Sequence, residues 1–396
     1  MTSAFHPSPE LETDLRGLFT KSLVAGVVLS AVSIIGAFLD PGDFFRSYLM
    51  GYLFWLGVAL GALGIVMMQY LTSGAWGVMT RRTLESATRT LPLLAVLFIP
   101  VALGLPTLYD WAHPDLVRKE YVLHHRAGYM NPQMFILRAI IYFAIWLIFT
   151  YFLNKWSAEQ DERGGLETRL AALSAPGLIL YVFTVTFSAV DWAESLETDW
   201  YSTIWGFLFV ANQGLSAFAF VIIAMVLLSK REPLASRFKP AHLHDLGKLL
   251  LTFVMLWAYF SFSQLLIVWS GNLTDEIPWY LRRLGTSWGW LGVMLIVLEF
   301  IVPFLLLLSK HVKRSATLLC GVVGIIIFMR FVDLMWIVMP SYYQRGFRLT
   351  WLNFSVPLAI GGLWIATFIR QLRNRPLLPV QAPNLERAIQ DGEEEE

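Results

Sequence analysis

The chain has 396 residues, of which 56% are hydrophobic and only 15% charged, with a formal net charge of +1. Soluble domains carry about 25% charged residues, so this composition, with a mean hydropathy of +0.58, excludes a water-soluble fold. The expected solvent is the lipid bilayer, and no nucleic-acid partner is expected.

Residues 1–18 are polar and partly acidic and are expected to form an N-terminal cytoplasmic segment. They lack a basic stretch, and no small-residue cleavage pattern follows, so the first apolar run reads as a retained span and not as a signal peptide. Ten apolar runs then follow, near 19–38, 48–71, 91–108, 132–154, 171–191, 201–229, 246–270, 285–309, 315–338 and 352–370, in one membrane domain over 19–375. About 20 apolar residues cross a bilayer core as a helix. The runs lack the alternation of membrane strands, and helices satisfy their own backbone groups in lipid. The expected fold class is therefore an all-α integral membrane protein of about ten transmembrane helices. Residues 376–396 end in DGEEEE and are expected to be a disordered acidic cytoplasmic tail, or to dock a partner.

Orientation follows from the basic residues of the loops. The N-terminus, the loops after spans 2, 4, 6 and 8, and the C-terminus together hold 20 of the 30 Lys and Arg, against 9 in the opposite loops. Both termini are expected to be cytoplasmic. The stretch AVDWAESLETDWYSTIWG (Ala189–Gly206), between spans 5 and 6, then lies outside; it carries Asp191, Glu194, Glu197 and Asp199 and no Lys or Arg.

Cofactor chemistry finds few ligands. The one cysteine, Cys320, sits in an apolar run and can form neither an internal disulfide nor a cluster site. All seven histidines fall in loops or at span ends, which argues against haem held within the spans. His242 and His244 are two residues apart and do not share a helix face, so a polar turn is the plainer reading than a metal site.

Ionisable groups at membrane depth carry more information, since each costs about 2.5–3.5 kcal/mol at mid-span and needs a partner or a task. Glu299 lies in the middle of span 8. Pro303, four residues on, cannot donate to its carbonyl, which predicts a kink or local water. In span 9, Arg330 and Asp333 are three apart and can pair, either as a structural ion pair or as part of a proton path. Span 7 carries Asp245, Lys248, Thr252, Tyr259 and Ser263 near one face, and span 5 carries Tyr181, Thr184, Ser188 and Asp191. Single hydroxyls often only bond a carbonyl or a neighbouring helix. As stripes, they suggest a cytoplasmic track from Asp245 through Lys248, Thr252 and Tyr259 to Glu299, Arg330 and Asp333, and a second track near Asp191 opening outward.

A resemblance enters with DWAESLETDWYSTIWG. Together with HLHDLGKLLLTFVMLWAYFSFSQLLIVWSGNL (His242–Leu273), PFLLLLSKHVKRSATLL (Pro303–Leu319) and MRFVDLMWIVMP (Met329–Pro340), it resembles the ActF subunit family of alternative complex III, over most of spans 5 to 9. Spans 1 to 4 match only in hydropathy and length. The resemblance implies a membrane subunit of a bacterial respiratory quinol:cytochrome c oxidoreductase in the inner membrane, related to NrfD-like (polysulfide reductase) membrane subunits and built as two four-helix bundles plus peripheral helices. It implies an NrfD-like membrane subunit, multihaem cytochrome c and iron–sulfur subunits as partners, with a terminal oxidase as a further one. Haem c and iron–sulfur clusters would then sit on those partners and none on this chain. A proton-path and scaffold role carries over to Asp191, Lys248, Tyr259, Glu299, Arg330 and Asp333, with a contribution to quinone binding left open. In that setting Glu194, Glu197 and Asp199 are candidates for docking an extracytoplasmic partner or for a proton exit, with Trp192 and Trp200 suited to the interface; a merely solvated loop is the bland alternative.

Two other classes stand beside this one. An autonomous secondary transporter would use broken helices and a midplane site, for which Gly57, Gly61 and Gly64 and Pro303 are the cues. An NrfD-type quinol-oxidising subunit would need an apolar cleft near the outer face with a proton acceptor such as Asp191 or Glu194.

Overall fold

The computed structural model describes residues 5–394. It is 80% helical, with no strand among the described residues, and ten helices are long and apolar enough to cross a membrane. We label these α1 (Pro9–Leu39), α2 (Pro41–Thr72), α3 (Arg81–Leu103), α4 (Pro132–Arg163), α5 (Glu167–Trp192), α6 (Trp205–Leu228), α7 (Pro240–Gly271), α8 (Gly289–Leu308), α9 (Ala316–Val338) and α10 (Leu352–Arg373).

Several starts are written in the sequence as a capping residue followed by proline. Ser8 Oγ, Asp40 Oδ1 and Asn131 Oδ1 accept from the backbone N–H three residues on, and Pro9, Pro41 and Pro132 open the helices. Proline suits the first turn because its missing N–H has no intrahelical partner there. The same residue breaks α3, where Pro92 and Pro100 start new turns and split the span into Arg81–Thr88, Leu91–Val96 and Ile99–Leu103.

The helices α2–α5 form one four-helix bundle and α6–α9 a second. The seam between them is made by α6 against α2 and α5. At Gly61 the backbone of α2 lies so close to α6 that an added Cβ would stand 1.9 Å from Gln213 O. Outside the bundles α1 lies along α10, and α10 against α2. There a Cβ on Gly26 would meet Leu363 N at 2.7 Å, a backbone-on-backbone approach typical of small residues between membrane helices.

The two ends sort as the loop grouping expects. At one end Phe5 O accepts from Leu377 N, and Glu232 O from Ser8 N. At the other, Tyr342 OH donates to Leu108 O and Ser341 Oγ to Glu197.

The N-terminal segment is helical from Pro9, because Ser8 caps it and Arg373 pairs with Glu12. One segment expectation is corrected. The tail, expected to be disordered, is ordered through its described part. Leu377, Leu378, Leu385 and Ala388 are buried, Val380 N donates to Asp161, and a helix runs over Leu385–Glu394. Those apolar residues give the tail something to bury, which an acidic run alone would not. The side chains of 391–394 and all of 395–396, hence the terminal glutamates, lie outside the described residues.

Candidate functional site

The second bundle encloses an ion triad. Arg330 on α9 donates through Nη1 to Glu299 Oε1 on α8 at 2.6 Å and to Asp333 Oδ2 at 2.9 Å. All three side chains are buried, Glu299 completely. The Arg330–Asp333 half is the three-residue spacing expected from the sequence. The Glu299 half depends on α8 packing against α9, which spacing within a helix does not reveal. Asn212 of α6 reaches Asp333 Oδ2 at 3.5 Å.

The backbone around Glu299 is unusual. Residues Leu295–Ile301 form a wide π-helical turn between two α-helical pieces, and Pro303 opens the second piece. Pro303 has no N–H for the Glu299 carbonyl, so the helix is irregular where the sequence predicts it. Such turns are frequent at functional sites.

The triad has two properties a simple ion pair lacks. One guanidinium faces two carboxylates, so the cluster is neutral only with one carboxyl protonated, and an unbalanced charge buried in protein is expensive. Its hydrogen-bonding capacity is also unfilled, since Glu299 Oε2, Arg330 Nε and Asn212 Oδ1 are buried without a partner. Arg330 and Asn212 wall a cavity of about 20 Å³ in the seam between the bundles, with Ser188, Trp192, Gln213 and Ser216. The rest of its lining is apolar, Leu53, Phe54, Leu56, Phe209 and Leu334 among it, and its volume is that of one water.

The acidic knuckle is rearranged relative to expectation. Asp191 takes a two-pronged contact from Arg138, Nε at 2.8 Å and Nη2 at 2.9 Å, and a hydrogen bond from Tyr142 OH at 2.8 Å. Glu197 pairs with Arg283 at 2.9 Å and Arg282 at 3.0 Å. Arg283 also donates to Trp336 O and Ile337 O, and burial pulls its guanidinium down to about 10, still charged at neutral pH. Glu194 accepts from Ser202 N. Of the four acids only Asp199 is exposed. Trp192 and Trp200, expected at the interface, are buried instead, because Trp192 packs on Phe98 and Phe143 and Trp200 stacks on Trp279. The knuckle is an internal clamp between loops, and Asp191, Glu194 and Glu197 do not form a free docking face.

The span 7 track is also corrected. Lys248 Nζ pairs with Asp245 at 2.9 Å on an exposed face, Thr252 Oγ1 donates to Lys248 O, and Tyr259 is 64% exposed. Lys248, Thr252 and Asp245 do not lead into the triad; Tyr259 lines a cavity that Asp333 also lines. The Thr252 hydroxyl and the two charges satisfy one another locally. The span 5 stripe does face inward: Tyr181 OH donates to Gln213 Oε1 at 2.9 Å, and Thr184 Oγ1 accepts from Trp146 Nε1. His242 holds the tail, accepting from Lys239 N on Nδ1 and bonding Ala388 O through Nε2.

Sequence reading missed a second buried cluster at the opposite end of the first bundle. Glu85, in a stretch that reads as a polar loop, accepts from Tyr70 OH at 2.7 Å, Arg82 at 2.7 Å and Ser157 Oγ at 2.5 Å. Arg82 also pairs with Asp161 of α4, and Arg375 approaches Glu85 at 3.7 Å. The available signal was the i, i+3 spacing of Arg82 and Glu85 on a segment without Gly or Pro. Comparison of the sequence with protein-family models and with curated proteins finds no match for either.

Proposed function

We propose that this chain is a proton-conducting and scaffolding membrane subunit of a bacterial respiratory quinol:cytochrome c oxidoreductase of the alternative complex III type. The observation that carries the proton-path half is the Glu299–Arg330–Asp333 triad, buried inside a membrane bundle with two carboxyl groups on one guanidinium. Arg330 keeps its charge and holds the two oxygens close to one nitrogen. A proton arriving at one carboxyl can leave from the other without a net charge being stranded in the bundle. Toward the knuckle, the seam cavity sets Arg330 near Ser188, one helical turn before Asp191 on α5. The outer half of the path is therefore read through the seam, and the candidate residues are Glu299, Arg330, Asp333 and Asp191.

The complex itself rests on the resemblance of the blocks in spans 5 to 9. In this reading both termini are cytoplasmic in the bacterial inner membrane. The partners are an NrfD-like membrane subunit with multihaem cytochrome c and iron–sulfur subunits, which carry the redox cofactors. A transporter reading loses its α2 cue, since α2 runs unbroken and Gly61 is used for packing against α6, and keeps only the irregular turn of α8 at Pro303. Purification in mild detergent tests the assembly. Haem- and iron–sulfur-bearing subunits with quinol:cytochrome c activity are expected to co-purify; a chain that purifies alone from a respiring membrane contradicts the proposal.

A further inference from the structure

At the end of the molecule where Phe5 meets Leu377, the first bundle has a basic pocket of about 330 Å³. It lies between α4 and α10, beside the Pro92 break of α3. Helix α3 packs against both of those helices and leaves a cleft between them. The lining joins three cations, Arg89 of α3, Lys155 of α4 and Arg375 just past α10, to Pro92, Leu147 and Tyr151.

The depth of these cations follows from the sequence. Arg89 precedes the apolar run 91–108, Lys155 follows the run 132–154, and Arg375 follows the run 352–370. All three stand at the edge of the hydrocarbon core, at the level of the lipid headgroups. Tyr151, one helical turn before Lys155, is 60% exposed on the lateral surface, so the pocket opens toward lipid.

The positive charge there is not balanced. No Asp or Glu lines the pocket among the described residues. Arg89 is half-buried and Lys155 exposed, and neither makes an ion pair among the described residues. Lys155 has only the Tyr151 ring, with Nζ 6.0 Å from its centre. Arg375 donates to Asn154 Oδ1 at 3.4 Å and stands 3.7 Å from Glu85, but that carboxylate already accepts from Arg82 at 2.7 Å. Asn154 is itself fixed, donating to Thr88 Oγ1 and Thr150 O. Cations gathered at a lipid boundary without a counter-ion repel one another more strongly than in water. Phosphate oxygens accept from guanidinium and ammonium groups in charge-assisted bonds, and basic pockets between membrane helices suit anionic lipid heads.

We propose that this pocket holds the phosphate of one anionic phospholipid, with Arg89, Lys155 and Arg375 around the head and the first acyl carbons along Pro92, Leu147 and Tyr151. A soluble phosphate ester offers the same head without the tails; the apolar wall and its lateral exposure favour the lipid. The site uses cations outside the triad, so its test does not depend on proton coupling or on the partner subunits.

Native mass spectrometry of the full chain in detergent, titrated with dioleoylphosphatidylglycerol, dioleoylphosphatidylcholine and glycerol 3-phosphate, tests it. One saturable equivalent of the phosphatidylglycerol is expected, bound about tenfold tighter than the zwitterionic lipid and not displaced by glycerol 3-phosphate. Its affinity is expected to fall about tenfold in an Arg89→Gln/Lys155→Gln double variant. Lys21→Gln, which removes an exposed cation of α1 outside the pocket, is expected to leave it unchanged. The proposal is overturned if the two lipids bind alike, if glycerol 3-phosphate displaces the lipid, if the double variant binds as the wild type does, or if Lys21→Gln loses as much. Lys155→Gln alone, at an exposed position, decides the question if the double variant fails to fold: a loss of about threefold is expected, and no loss overturns the proposal.

Discussion

Arg330 stands between Glu299 and Asp333 in a setting where none of the three can reach bulk water. Removing the guanidinium leaves the remaining buried carboxylate without a counter-charge, and breaking a buried ionic contact in this way costs about 3–5 kcal/mol. We expect Arg330→Met to lower thermal stability in detergent sharply, and Arg330→Met combined with Glu299→Gln and Asp333→Asn to regain much of the loss. A melting curve for the single variant equal to wild type would mean that the triad is not a closed electrostatic unit. At this scale the sequence is partly legible. The Arg330–Asp333 pair is visible as a three-residue spacing, and the cost of burying Glu299 marks it as needing a partner. The partners of Asp191 and Glu197 are not visible, because Arg138 and Arg283 come from distant segments. An acidic run looks solvated until the cations that face it are placed. The same blindness hid Glu85, whose Arg82–Asp161 support spans two helices.

Helices were the most legible level. All ten apolar runs are helices, and capping residues before proline mark several starts. Misreadings occurred where a helix extends through polar residues, as in Arg81–Thr88, because polar side chains there pack inward on α4 and the tail. The faces of α7 also misled: five polar residues on one stripe suggest a track, yet Lys248, Thr252 and Tyr259 of that stripe are exposed and Asp245 and Ser263 are only half-buried. Periodicity shows which residues share a face but not what the face meets. Close helix contact, by contrast, leaves glycine in the sequence. Gly26→Leu forces α1 off α10, with an expected loss of about 1–3 kcal/mol from overpacking. Gly17→Ala, on the same helix with nothing within 4 Å of the new Cβ, is expected to be neutral or to gain up to ~1 kcal/mol from helix propensity. Equal thermal shifts for the two would contradict the close α1–α10 contact.

At the scale of the whole molecule, two bundles meet along α6 and the chain ends tie one face together. The tail does this through Arg375 near Glu85, Val380 on Asp161 and Ala388 on His242. A truncation after Asn374 is therefore expected to lower the melting temperature and to open the Glu85 cluster to solvent, read as faster hydrogen exchange in Arg81–Thr88. A free tail would be lost without either effect. The claim on which the functional account depends is that the triad relays protons within a redox assembly. The most direct measurement is proton release per electron by the purified complex in proteoliposomes, wild type against Glu299→Gln, with quinol oxidation followed in parallel. The account predicts that Glu299→Gln assembles normally but releases markedly fewer protons per electron; an unchanged ratio at unchanged turnover would contradict it.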